Sequence, residues 1–156
     1  MKLVILGCGR VGSTMATVMC REGHQVTIID QNPDSFRRLS KDYSGKTVTG
    51  NGIDEDTLRE AQLDQADAFV AVTNGDNRNI MSVQMAKVRF NVPKIVARIY
   101  DPIRSSAYAE MGVDTICTTS VGAGLIRDMV LGQPFSHVET YTRFGLEEAP
   151  LEDDDE

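Results

Sequence analysis

The stretch LVILGCGRVGSTMATVMC, residues 3–20, sets three glycines between an apolar run and a segment whose Val11, Met15, Val18 and Met19 return at helical spacing. The chemistry that such spacing suits is the holding of a phosphate chain. Gly7 lets the backbone turn sharply out of a strand, Gly9 lets it approach pyrophosphate with no Cβ in the way, and Gly12 lets the helix lie close to the sheet. The first turn of that helix presents unpaired N–H groups and a partial positive charge to an anion. Cys8, Arg10 and Val11 complete the turn, and the Arg10 guanidinium suits bidentate contact with phosphate oxygens.

A second apolar strand over 25–29 ends at Asp30, about 20 residues beyond the glycines, with Gln31 beside it. A carboxylate there accepts both ribose hydroxyls of an adenosine and repels the 2′-phosphate of NADP, so NAD or an adenine nucleotide is expected. The sequence GNGID puts Asn51 and Gly52 after the third strand, where Asn51 can pair with an adenine edge or simply form an Asn-Gly turn. Thr73, Asn74 and Gly75 end the fourth strand, bordering the position of the nicotinamide or of the outer phosphate. Arg98 stands among apolar neighbours in the fifth strand, where it needs a ligand or an ion-pair partner.

No catalytic constellation accompanies these residues. Tyr43, Tyr100, Tyr108 and Tyr141 are followed four places on by Thr47, Arg104, Gly112 and Gly145, so no YxxxK pair exists. GxxxxGK[ST], GxSxG and clustered His/Cys metal patterns are also missing. The expectation is a nucleotide-binding chain that is not an enzyme, with no catalytic or metal-binding residues.

The positioning elements alternate strand and helix along the whole chain, which implies a parallel sheet covered on both faces. Strands are predicted at 3–6, 25–29, 46–49, 68–72, 95–99 and 115–117. The helices between them follow the first glycine turn, Asn32 (to about Asp42), Asp54, Asp76 or Asn77 as cap, and Pro102, with a last helix over 121–131. Right-handed crossovers make this a three-layer α/β Rossmann fold with six parallel strands in the order 3-2-1-4-5-6. Residues 137–144 alternate enough to predict a further strand, set against a partner subunit.

At 156 residues the chain has the size of one domain. Residues 1–134 are assigned to it, 135–146 to an extension that makes a dimer contact. The net charge of −7 resides entirely in Glu147, Glu148, Glu152, Asp153, Asp154, Asp155 and Glu156, read as an acidic disordered tail over 147–156. The remaining body is neutral and offers nucleic acid no basic footprint. Cys8, Cys20 and Cys117 have no metal-type spacing and read as reduced thiols, with Cys8, near a helix N-terminus, the one candidate for a lowered pKa. With no apolar run near 18 residues and no room for a signal peptide before the first strand, a cytoplasmic location is expected.

The blocks GCGRVGSTMA, IIDQNPDSFRRL, GNGIDEDTLREA, AVTNGDNRNIMSVQMA, VARIYDP and GVDTICTTSVGAGLI, taken together, resemble the TrkA-N, KTN or RCK nucleotide-binding domains of bacterial potassium-transport regulators. The resemblance implies a cytoplasmic regulatory subunit, dimeric or assembled into a ring, peripheral to the inner face of the membrane on a potassium transporter or channel. It implies NAD or NADH, or alternatively ATP, ADP or AMP, as ligand. By this likeness Gly7, Gly9, Arg10 and Gly12 hold phosphates, Asp30 the ribose, Asn51 the adenine, and Thr73 and Asn74 the far side of the ligand, with Arg98 near the ligand or the dimer contact. Two departures stand out: Asn51 replaces the family's usual Asp, and Thr119 and Ser120 replace its usual Pro-Glu, removing a carboxylate suited to a cation. The sequence also stops before the family's usual C-terminal ligand-binding subdomain, as either a short natural subunit or a fragment would.

Overall fold

A computed structural model of the chain describes residues 1–142 and Phe144. The acidic tail over 147–156 lies outside the described residues, as do 143, 145 and 146 of the predicted extension. The sheet has six strands: β1 (Lys2–Leu6), β2 (Gln25–Asp30), β3 (Lys46–Thr49), β4 (Ala68–Ala71), β5 (Lys94–Ile99) and β6 (Thr115–Cys117), in the order β3-β2-β1-β4-β5-β6. The predicted strand order is therefore the observed one. The register sets Leu6 of β1 opposite Ile29 of β2 and Ala71 of β4, so the three central strands end at one level.

The chain divides into two compact units, Met1–Arg98 and Ile99–Glu156. In the first, the two-residue period of β1 sends Leu3 and Ile5 to one face and Val4 and Leu6 to the other, all four buried. Leu3 and Ile5 join Val26, Ile28, Ala68 and Val70 in a cluster completed by Ala16 and Met19 of helix α1 (Arg10–Arg21). Helix α2 (Glu55–Glu60) packs on β3, and α3 (Asp76–Phe90) packs on β4. The inward face of α3 carries Ile80, Val83, Ala86 and Phe90, as the helical period predicts. Strands with both faces covered are nearly continuous apolar runs, which is why the sequence made them visible.

Two expectations in this unit need correction. The predicted helix after Asn32 is only a 3-10 turn over Pro33–Arg38; Asn32 does cap it, accepting from Asp34 N at 3.0 Å. Leu39 then turns extended, which ends the turn, and an exposed bidentate ion pair joins Arg21 at the end of α1 to Asp42 of the outgoing chain. Nor does Asp76 or Asn77 cap α3, because the cap position is Gly75, with no side-chain hydrogen bond.

The second unit holds helices α4 (Pro102–Glu110), α5 (Thr118–Leu131) and α6 (Val138–Thr142) with β6. Asp101 caps α4, and the hydroxyls of Ser105 and Thr115 lie 3.0 Å apart where α4 meets β6. The strand predicted over 137–144 is instead α6. Tyr141 fills the space beside Gly124 of α5, where a Cβ would overlap its ring, and its hydroxyl donates to the buried Asp128 carboxylate at 2.7 Å. That hydroxyl also accepts from Ser136 N at 2.7 Å.

Candidate functional site

The sequence-predicted residues lie in the first unit, at the carboxyl ends of its parallel strands. Gly7 follows β1 with φ +103°, a region that L side chains avoid, and a Cβ on it would come within 3.0 Å of Thr73 N. The glycine turn is thus pressed against the end of β4. Gly12 sits in the first turn of α1, and a Cβ there would overlap the carbonyl oxygen of Gly7. Around Gly9, by contrast, a Cβ would meet nothing within 4 Å. Gly9 caps α1 with no side-chain hydrogen bond, so the open side of the turn exposes the amide end of the helix. Arg10 and Val11 stand exposed beside it, and the Arg10 guanidinium makes no ion pair among the described residues.

Asp30 is tied to the same turn. Its Oδ2 accepts from Cys8 N at 2.7 Å and its Oδ1 from Asn32 N at 2.9 Å, which fixes the carboxylate and leaves lone pairs on both oxygens. Gly50 N donates to Asp30 O at 3.0 Å, drawing the β3 loop alongside. In that loop Gly52 is buried against Leu6, where a Cβ would overlap the leucine methyls, while Asn51 stays exposed. Asn51 Oδ1 accepts from Ile53 N at 3.3 Å, so the residue forms a turn of its own and its amide NH₂ remains open. Gln31 is exposed next to Asp30.

Cys8 contributes backbone only. Its thiol is fully buried, donates to Ser35 O at 3.3 Å, and has its pKa pushed up to about 11, first by burial and then by the Asp30 charge. The lowered pKa considered for a thiol at a helix start is therefore reversed, because burial and the neighbouring Asp30 charge both disfavour the thiolate. Its proton is retained on folding, so the associated stability is complete below pH 9.0 and lost as pH rises toward about 11. Alkylation by iodoacetamide at neutral pH is expected to spare Cys8 in the folded chain and to reach it in concentrated urea; mass spectrometry of digests reads the difference.

The end of β4 rests on a residue that the sequence analysis passed over. Asn79 of α3 is fully buried; its Oδ1 accepts from Thr73 N at 2.9 Å and Thr73 Oγ1 at 2.7 Å, and its Nδ2 donates to Thr73 O at 3.1 Å and Arg98 O at 2.8 Å. The signal was present: Asn79, Val83, Ala86 and Phe90 share one helical face, and a polar residue on an apolar face needs partners. Arg98 is also buried, and its guanidinium donates to the carbonyls of Val72 and Thr73 at 2.8 and 2.7 Å. Carbonyls that have run out of strand partners thus help to meet the cost of burying this arginine. Asn74 is exposed, and Gly75 N donates to Thr73 Oγ1 at 3.3 Å.

The structure therefore brings Gly7, Cys8, Asp30, Gly52 and Thr73 together around the end of β1. Arg10, Val11, Gln31, Asn51 and Asn74 stand exposed at the same strand ends. Such an arrangement offers donors over the glycine turn and fixed acceptors to either side. Among the described residues no group of three or more His, Cys, Asp or Glu side chains is placed to hold a metal ion.

The Trk system potassium uptake protein TrkA of Streptomyces coelicolor is 49% identical over 118 residues, covering 76% of this chain and 53% of that protein. A TrkA homolog of Methanothermobacter thermautotrophicus is 33% identical over 131 residues, covering 83% of this chain and 60% of its own. This chain thus spans little more than half the length of these relatives. Among solved structures, GsuK bound to ADP superposes with a TM-score of 0.69 at 25% identity, covering 83% of this chain and 33% of that one. The TrkA-N domain model matches residues 3–119, and the chain belongs to that family.

Proposed function

We propose that this chain is the nucleotide-binding regulatory part of a potassium uptake system, taking NAD, NADH or an adenine nucleotide across the ends of β2, β1 and β4. The observation that carries the reading is the fixed Asp30 carboxylate, tethered through Cys8 N to a glycine turn that is open at Gly9. Gly7, Gly9 and Gly12 with Arg10 and Val11 would frame the phosphates, and Asp30 and Gln31 the adenosine ribose. Asn51 and Gly52 would lie by the adenine, Thr73, Asn74 and Gly75 by the far group, with Arg98 supporting them. The sequence and names of the relatives, all of potassium uptake, support the regulatory assignment over an oxidoreductase.

Regulation would work by population shift: the ligand binds one arrangement of subunits more tightly and moves the equilibrium by that difference. The assembly would be a homodimer or ring, cytoplasmic, and peripheral to a membrane potassium transporter. No described helix is long and apolar enough to cross a membrane.

Titration of the purified chain with NAD, NADH, ADP and ATP, with assembly mass followed in parallel, tests the reading. Saturable binding with a change of mass is expected; no affinity for any of the four at millimolar levels would remove the proposal. Within that experiment Arg10→Ala should lower ATP affinity about three- to tenfold more than AMP affinity, because only the longer phosphate chain reaches the guanidinium. Equal losses would take Arg10 out of the phosphate site.

A further inference from the structure

We propose that Asn79 is the positioning residue of the nucleotide site: from the interior it holds Thr73 as the wall on which the glycine turn is seated. The proposal rests on the nucleotide site described above and adds the side chain that keeps its phosphate cradle in shape. The wall is close. The three atoms that a Cβ on Gly7 would meet first all belong to Thr73: N at 3.0 Å, Cα at 3.1 Å and Cγ2 at 3.2 Å. On the other side Gly7 N donates to Ile29 O at 2.7 Å, so the turn is set between the end of β2 and Thr73.

Thr73 itself has left the sheet. β4 ends at Ala71, and Val72 N makes the last bond to β1, donating to Leu6 O at 2.9 Å. Among the described residues the main-chain groups of Thr73 bond only to side chains. Its N–H donates to Asn79 Oδ1 at 2.9 Å, and its carbonyl accepts from Asn79 Nδ2 at 3.1 Å and from the Arg98 guanidinium at 2.7 Å. Arg98 thus reaches the carbonyl alone, and the nitrogen nearest the glycine turn is held by Asn79.

The position asks for an amide. An N–H is a donor alone, so the Asn79 oxygen must face Thr73 N, and the same oxygen accepts from the Thr73 hydroxyl at 2.7 Å. The carbonyls of Thr73 and of Arg98, the latter at 2.8 Å, then require the protons of its nitrogen. Asn79 is fully buried, and it stands on a helix packed against β4, which holds its partners more closely than a loop would. The attraction for phosphate belongs to the amide end of α1 and to Arg10, and no ligand contact at Thr73 is required. What Asn79 sets is the place of the turn, so affinity falls with the fraction of chains in which the turn is seated.

Calorimetric titration of the folded chain with NAD and with ADP, alongside iodoacetamide labelling of Cys8, tests this. Asn79→Leu has a similar branched outline and loses all four bonds, whereas Asn79→Asp keeps the acceptor for Thr73 N and loses only the donors. Both variants leave the buried carbonyls without those protons, and the aspartate adds a buried charge, so its urea midpoint should fall at least as far. Asn79→Leu should weaken both ligands about tenfold, as when the seated turn drops to a tenth of the population, with Cys8 still protected on the Asp30 side. Asn79→Asp should bind within about threefold of wild type despite its lower stability. A merely structural role would instead make affinity follow stability. Should Asn79→Leu fail to fold, Asn79→Ala takes its place, since water can fill the space beside the carbonyls. Should the aspartate variant fail to fold, the other variant and the Cys8 label decide alone. Unchanged affinity in the leucine or alanine variant, an equal loss in the aspartate variant, or a loss accompanied by Cys8 labelling at neutral pH would overturn the proposal. No binding by the wild-type chain would instead defeat the nucleotide site as a whole, and this positioning role with it.

Discussion

Gly12→Ala is expected to destabilise the chain by about 2–3 kcal/mol, seen as a lower urea midpoint with an unchanged slope, and to abolish nucleotide binding. The methyl would overlap the Gly7 carbonyl oxygen and lie within 3.2 Å of a Val72 methyl. The opposing atom is backbone, fixed from both ends: Gly7 N donates to Ile29 O at 2.7 Å, and its φ of +103° admits few substitutes. To accommodate the methyl, α1 must lift away from the sheet and carry with it the amide end that faces the phosphates. Gly9→Ala separates the two consequences. Its Cβ meets nothing within 4 Å and its φ of −77° suits alanine, so stability should stay within about 0.5 kcal/mol while nucleotide affinity falls. Loss of stability at Gly9 without loss of binding would show that the open side of the turn is not where the ligand lies.

Asp30→Ala is expected to weaken NAD and ADP binding by more than about tenfold, the scale of charge-assisted hydrogen bonds to two ribose hydroxyls. Unchanged affinity by calorimetry would remove Asp30 from the site. Because the carboxylate also holds Cys8 N and Asn32 N, part of any loss could arise from a loosened turn. The Cys8 thiol supplies an internal control. The Asp30 charge is the second cause of its raised pKa, after burial, so Asp30→Asn should bring that pKa down from about 11 while the thiol stays buried. A thiol still raised but less so, together with lost nucleotide affinity, would mark an intact turn lacking its ribose acceptor. A thiol reactive at neutral pH would mark a turn that has come apart.

The glycine spacing, the aspartate closing β2 and the apolar face of α3 are legible in the sequence because each is written in neighbouring residues, through periods of two or 3.6 or through a local turn, and the strand order follows from the alternation of elements under right-handed crossovers. The failures were equally physical. Residues 137–144 alternate like a strand, yet Tyr141 finds Asp128 and the notch at Gly124, and the segment coils into α6. The helix after Asn32 stops at Arg38, where Leu39 turns extended and the chain runs on to Asp42, which meets Arg21 of α1. Thr73 was singled out from its place at a strand end, but what it can offer a ligand depends on Asn79 six residues on, and its carbonyl on Arg98, 25 residues on. Local order in the chain announces where a backbone will turn and which face it will bury. The direction of each proton, the exposure of each lone pair and the pKa of each thiol depend on partners that only the folded sheet brings within hydrogen-bonding distance.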